Sequence, residues 1–205
     1  MPVDVLCIRH GLSTWNLARR WQGRADPPLS DEGRRGAMGL GAELRSTLGT
    51  RGPVVVWSSP LRRSTETARI IADALGAPPV IVDERLGELD VGPWQGLTTD
   101  EIDASWPGML ASHERPPGFE DDASVLARVL PALADIAGTV PPGAVALVVG
   151  HAGVLRSVRR HCAAPDERLA NLDGWWFAVE PDGSAVRYIG DLDVPGDTVV
   201  PGPHR

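Results

Sequence analysis

The chain has 205 residues, 42% of them hydrophobic and 23% charged, an ordinary globular composition with enough length to bury a full core. Its formal net charge is −7 and it contains no lysine, all 20 basic residues being arginine. That balance argues against non-specific binding to nucleic acid or to an anionic membrane surface, yet it leaves room for a local arginine cluster that takes a small anion. The longest apolar run, 144–149, is far too short to span a bilayer. With no secretory pattern at the start and no C-x-x-C spacing, Cys7 and Cys162 are expected to be buried, reduced thiols of a cytoplasmic protein.

In chain order, residues 3–8 form a short run rich in β-branched and apolar residues, expected to be a buried strand, and Arg9, His10 and Gly11 follow it at once. Residues 12–21 read as helix-like, and 22–28 as a loop punctuated by Gly23, Pro27 and Pro28. Ser30 is the expected N-cap of a helix running to about Leu48, with Asp31 and Glu32 favoured by its dipole and Gly36, Gly39 and Gly41 each weakening it by about 1 kcal/mol. A second strand is expected over 53–58, followed by Ser59 and Pro60 and a helix over 61–75 that Gly76 and Pro78 close. Residues 80–82 give a third short strand, and 86–96 a Gly/Pro-rich loop carrying Glu88, Asp90 and Trp94.

Residues 98–105 read as a short helix and 106–120 as an irregular excursion; Val125, Leu126, Val129, Leu130, Leu133 and Ile136 then set a helix over 123–136. The fourth strand, 144–149, is followed by Gly150, His151, Ala152 and Gly153 and by a helix over 154–162. Two strands, 175–179 and 185–189, flank an Asp-Gly turn and form an edge hairpin. Strands alternating with helices predict an α/β fold, a three-layer α/β/α sandwich with a mainly parallel sheet and that late hairpin. A single domain is expected over 1–205, with a loosely ordered tail from about 192.

In a parallel sheet the strands' C-terminal ends share one edge, so groups far apart in sequence converge there. Arg9 and His10, Arg63 beside Arg62, Glu88, and His151 all follow strands in this way. A nucleophile, cationic donors for phosphoryl oxygens and an acid for the leaving group are the inventory that phosphoryl transfer needs.

Arg9-His10-Gly11, S-P-L-R-R-S-T-E-T-A at 59–68, L-G-E-L-D-V-G-P-W-Q-G at 86–96 and G-H-A-G at 150–153 together resemble the histidine phosphatase superfamily, in its phosphoglycerate mutase-like branch. The motifs come in the family's order and cover the chain from Val3 to about Arg160. The resemblance implies His10 as the nucleophile that becomes phosphohistidine, with Arg9, Arg63 and a charged His151 around the phosphoryl group and Glu88 as proton donor. Asp90 remains the alternative carboxylate, since family members differ in which one serves. The resemblance also implies substrate contacts at Gly11, Asn16, Gln22, Gly23 and Ala152. The segment P-G-F-E-D departs from the family's P-G-G-E-S, with Phe119 for glycine and Asp121 for serine, which leaves the local turn open.

The implied function is a phosphomonoesterase that acts on a small phosphorylated metabolite without a metal or other cofactor; the chain has no H-E-x-x-H or Cys/His cluster. The alternatives are a cofactor-dependent phosphoglycerate or sugar-phosphate mutase, disfavoured by the compact stretch between Glu88 and His151, and a catalytically silent phospholigand-binding protein. No nucleic-acid or membrane partner is expected, while an edge strand or helix face leaves a homodimer open. Trp57 is expected in the core, Trp15, Trp94, Trp175 and Trp176 in packing, and Trp21, Trp106 and Phe119 in the lining of a substrate pocket. His113 and His204 are expected in solvent, and His161 in a structural role.

Overall fold

The structure, a computed structural model, describes residues 1–193. Its elements are β1 (Val3–Arg9), α1 (Thr14–Leu17), α2 (Asp31–Leu48), β2 (Val54–Ser58), α3 (Arg62–Leu75), β3 (Ile81–Val82), α4 (Thr99–Ser105), α5 (Asp122–Thr139), β4 (Val145–Gly150), α6 (Ala152–His161), β5 (Gly174–Val179) and β6 (Val186–Asp191). Six strands form one sheet in the order β3-β2-β4-β1-β5-β6. The first four are parallel, and β5 and β6 add an antiparallel hairpin at the edge.

The alternation of side chains along each strand divides the core between two faces. Leu6, Ile8, Val56, Leu147 and Val149 meet Ala37, Leu40 and Leu44 of α2 and Ala68 and Ile71 of α3. On the opposite face Val5, Cys7, Trp57, Ala146 and Val148 meet Val125, Val129 and Leu133 of α5 and Val154 and Val158 of α6. These are the three expected layers. The chain leaves β1 toward β2 and leaves β4 toward β5, in opposite directions along the sheet, although β1 and β4 are neighbours. Their C-terminal ends therefore flank a topological switch point, where the loops part and leave a crevice.

Several local expectations change. The helix expected over 12–21 is only the single turn α1, because Ser13 and Asn16 satisfy each other in a capping box, Arg19 takes a left-handed φ of 56°, and Arg20 bridges to Thr98. α5 begins at Asp122, capped by Asp121 whose carboxylate accepts from Ser124 N at 2.8 Å, and it continues through the exposed Pro131 because its other face is buried. α6 starts at Ala152, two residues before the expected start. The tail expected from about 192 is anchored at its first residue, where Leu192 N donates to Gly174 O at 2.8 Å; residues 194–205, and with them His204, lie outside the described residues.

Cys7 is buried as expected, but Cys162 is only half-buried; both thiols are free and burial pushes both upward in pKa. His113 is exposed as expected, whereas His161 is also exposed at the end of α6 rather than structural. Among the described residues no helix is long and apolar enough to cross a membrane.

Candidate active site

His10 and His151 stand immediately beyond β1 and β4, and the pairing of Arg9 with Gly150 fixes the two ends side by side. Their rings meet edge to face with centroids 5.2 Å apart, and both are almost wholly buried. His10 Nδ1 lies 2.7 Å from the carbonyl oxygen of Gly11. A carbonyl can only accept, so Nδ1 carries the proton and Nε2 keeps its lone pair. Burial, followed by the positive charges of Arg63 and Arg9, holds the His10 pKa well below the usual histidine value, which keeps the ring neutral.

The half-buried Arg9 and the buried Arg63 bring two guanidiniums to the same place. Arg9 is tied by NH1 to Leu169 O at 2.8 Å; Arg63, fully buried in the first turn of α3, donates NH1 to Ala25 O at 2.6 Å and NH2 to Gly23 O at 2.9 Å. Burial lowers the pKa of each to about 10, partly offset by Glu88, so both remain charged at neutral pH. His151 differs from the sequence-based expectation of a charged ring: burial, with Arg63, His10 and Arg9 around it, holds its pKa well below the usual value and makes it neutral. Its Nε2 contacts Ser59 Oγ at 2.7 Å and Ser64 Oγ at 3.3 Å.

Glu88 sits at the start of α6. Its Oε1 accepts from Leu89 N at 2.9 Å and Val154 N at 3.3 Å, and its Oε2 from Gly153 N at 3.4 Å, so a carboxyl from another loop occupies the free amides of a helix that has no side-chain cap of its own. A side chain at 153 would forbid this, since a Cβ there would lie 2.7 Å from Glu88 Oε1 and clash with Leu89. Burial nevertheless raises the Glu88 pKa, outweighing the amides and the cations. Asp90, the alternative carboxylate, is engaged in its own turn, accepting from Gly92 N at 2.8 Å.

The sequence reading missed Asn171. Buried in the loop before β5, it donates Nδ2 to His10 O at 2.9 Å, to Gly11 O at 3.3 Å and to Asn16 Oδ1 at 3.3 Å, locking the backbone on which the His10 ring depends. Thr67 accepts from Gly11 N at 3.0 Å in support. Asn16 is buried, with Oδ1 also accepting from Ser13 N and Oγ, while Gln22 Oε1 accepts from Ser13 Oγ at 2.7 Å. Gly23 has φ 48°, and a Cβ there would meet Val91 Cγ2 at 2.6 Å. Ala152, half-buried, opens α6 beside His151.

The aromatic expectations need correction. Trp21, Trp106 and Phe119 pack with Val91, Trp94 and Ile102 into a separate small core, Trp21 and Phe119 each edge-on to the buried Trp94. The cavity beside Glu88, about 250 Å³, is instead lined by Arg24, Pro60, Leu61, Glu84 and Arg128.

Three buried nitrogens in this cluster, Arg9 Nε, Arg63 Nε and His151 Nδ1, have no hydrogen-bond partner among the described residues. Leaving such a group unpaired costs about 1–3 kcal/mol, a debt that an oxygen-rich anion removes. The model of the histidine phosphatase superfamily (branch 1) matches residues 5–176. The chain belongs to that superfamily. Glucosyl-3-phosphoglycerate phosphatase of Mycobacterium tuberculosis (strain CDC 1551 / Oshkosh) is 36% identical over 166 residues, covering 75% of this chain and 72% of that protein. The 2,3-bisphosphoglycerate-dependent phosphoglycerate mutase of Methylobacterium sp. (strain 4-46) is 36% identical over 163 residues, covering 75% and 77%. A mycobacterial glucosyl-3-phosphoglycerate phosphatase solved in complex with VO3 has a TM-score of 0.80 at 28% identity, over 95% of this chain and all of that one. Phosphatases of this superfamily thus match the chain in both sequence and structure.

Proposed function

We propose that the protein hydrolyses a small phosphorylated metabolite through a phosphohistidine on His10, with Glu88 as proton donor and without a metal ion. The His10 ring carries this reading: Nδ1 is committed to Gly11 O, and the neutral Nε2 is left near the Arg9 and Arg63 cations, with the Glu88 carboxyl held toward its protonated form. In the first step Nε2 forms the N–P bond as the ester P–O bond breaks, and Glu88 gives its proton to the departing alkoxide. In the second, ionised Glu88 takes a proton from water, whose oxygen forms a P–O bond as the N–P bond breaks. Phosphate leaves, and His10 and Glu88 return to their starting protonation.

Arg9 and Arg63 offset the charge on the phosphoryl oxygens, the work a divalent ion does in metal-dependent phosphatases. With the Ser59 hydroxyl donating to Nε2 of His151, the ring's Nδ1–H is the remaining donor for the phosphoryl group. Asn16 Nδ2 and the backbone around Gly11, Gln22, Gly23 and Ala152 complete its surroundings. Hydrolysis is favoured over phosphoryl return because Glu88 lines a cavity walled partly by exposed residues, which water can enter.

The test is phosphate release from a panel that includes glucosyl-3-phosphoglycerate, 3-phosphoglycerate, sugar phosphates and nucleotides, with chelator present and His10→Ala alongside. Chelator-insensitive turnover that vanishes in the variant supports the reading. Isomerisation of 3-phosphoglycerate with a bisphosphate primer and no phosphate release makes the protein a mutase. Phosphate binding without an acid-labile phosphoprotein makes it a silent binder.

A further inference from the structure

We propose that Arg24 selects phosphate esters whose leaving group carries a carboxylate, by binding that carboxylate in the cavity beside Glu88; this rests on the hydrolase reading above. The backbone on either side of Arg24 is clamped by a single buried group, since Arg63 holds Gly23 O at 2.9 Å and Ala25 O at 2.6 Å. Ala25 N adds a bond to Gln95 Oε1 at 2.9 Å. The guanidinium that fixes the phosphoryl end of the site thus also fixes where the Arg24 side chain begins. Arg24 lines the same cavity as Glu88, and a leaving group that Glu88 protonates has to lie beside Glu88.

Arg24 is the cation on this wall with donors to spare. Arg128 commits four of its five N–H groups to the protein: NH1 donates to Arg85 O and Gly87 O, both at 2.7 Å, and Nε and NH2 donate to Glu120 at 2.9 and 3.2 Å. Arg24 makes one contact among the described residues, NH2 to Glu120 Oε2 at 3.3 Å, with its side chain 57% exposed. Glu120 does not depend on it, because Arg128 and Asp90 N, at 3.0 Å, already serve its oxygens. An exposed ion pair of this length is weak, so the Arg24 fork is free to exchange Glu120 for a ligand carboxylate, which its planar donors match in pairs. The cavity, about 250 Å³, is below the range of about 300–1,000 Å³ that holds drug-sized ligands, which suits a short hydroxy acid at the reacting end. Glu84, an exposed carboxylate on the same wall, works against such a group and sets the opposite sign for a second variant.

The test compares kcat/KM for 3-phosphoglycerate and for sn-glycerol 3-phosphate, which differ in the carboxylate, in wild type, Arg24→Gln, Arg24→Lys and Glu84→Gln, with His10→Ala as control. The wild type is expected to prefer the acid. Arg24→Gln is expected to reduce that preference at least tenfold, chiefly through KM, with Arg24→Lys intermediate because it keeps the charge and loses the fork. Glu84→Gln is expected to raise the preference. A preference unchanged in Arg24→Gln, or both esters slowed equally as by a displaced loop, overturns the proposal. Turnover that survives in His10→Ala, or a wild type that forms no phosphoenzyme from either ester, instead overturns the hydrolase reading beneath it.

Discussion

At its inner end the site consists of charged and titratable groups tied to backbone, with His10 and Arg63 buried and Arg9 and Glu88 half-buried: His10 to Gly11 O, Arg9 to Leu169 O, Arg63 to Gly23 O and Ala25 O, Glu88 to three amides. At its mouth, Arg24 and Glu84 line the cavity and are exposed, Arg24 on a turn and Glu84 on the first residue of a short 3₁₀ helix. The two regions meet at Arg63, which belongs to the first and shapes the second. Burial raises the energy of a charge, and a protein keeps several together only where fixed dipoles and opposite charges hold them. Such a region has few alternatives in residue type. The mouth carries no such constraint, so its side chains can follow the leaving group without disturbing the chemistry.

The sharpest way to break this contrast is at the nucleophile. His10→Ala is expected to lower kcat by about 10⁴-fold or more and to abolish acid-labile phosphoprotein, as loss of a covalent nucleophile does elsewhere. Rapid-quench trapping of phosphoenzyme checks it. A variant retaining a tenth of the activity would place the chemistry on another group.

The parts of the inner region legible in the sequence were those whose residue type is dictated by chemistry and whose place follows a strand: Arg9, His10, Arg63, Glu88 and His151. The four parallel strands and the hairpin were legible too, because hydrophobic runs ended in Gly, Ser and Pro. What was not legible acts through burial or through contacts across the chain. Asn171 belongs to a loop with no periodicity, and its three bonds reach back to residues 10, 11 and 16, which no local pattern announces. The neutrality of His151 comes from desolvation and from neighbours on other elements. Trp21 and Phe119 look the same in sequence whether they line a pocket or make a core, and Trp94 between them decided for the core. Phe119, where the family pattern has glycine, is accommodated because Val91 pairs with it and Trp94 takes its ring.

Arg9→Gln tests whether the inner charges act together. It removes one donor to the phosphoryl oxygens, for which kcat/KM is expected to fall about 10²–10³-fold. The pH profile carries a second signature. His10 must be unprotonated to attack, so activity falls as pH drops through its pKa, which burial and the cations hold below 6.5. Glu88 must hold its proton, so activity falls as pH rises through its pKa, which burial holds above 4.5. Arg9 lowers both values, so its removal moves both limbs to higher pH. Limbs that stay in place, measured on one ester for both proteins, would detach Arg9 from His10 and Glu88.

Gly153→Ala probes packing rather than charge. The added Cβ would stand 2.7 Å from Glu88 Oε1 and push against Leu89, so the carboxyl must leave the amides of α6. A displacement on the scale of 1 Å costs about 10²-fold in rate, and kcat is expected to fall by that order while KM changes little. If phosphoenzyme forms at the wild-type rate, Glu88 does not need this seat in the first step.

The smallest expected effect lies outside both regions. Arg115 places its guanidinium 5.4 Å from the Trp94 ring and 5.3 Å from the Phe119 ring, on the outer side of the small aromatic core. Cation–π contacts at exposed sites contribute about 0.5–1 kcal/mol, and in a chain of this size 1 kcal/mol moves Tm by about 2–4 °C. Arg115→Ala is therefore expected to lower Tm by a few degrees in a thermal melt and to change kcat/KM less than twofold. A loss of activity larger than the melt accounts for would show that the aromatic core transmits to the mouth through Val91 and Gly23, which touch where a Cβ on Gly23 would meet Val91 Cγ2 at 2.6 Å. The inner end and the mouth would then share a support, and the freedom assigned to the mouth would be smaller than its exposure implies.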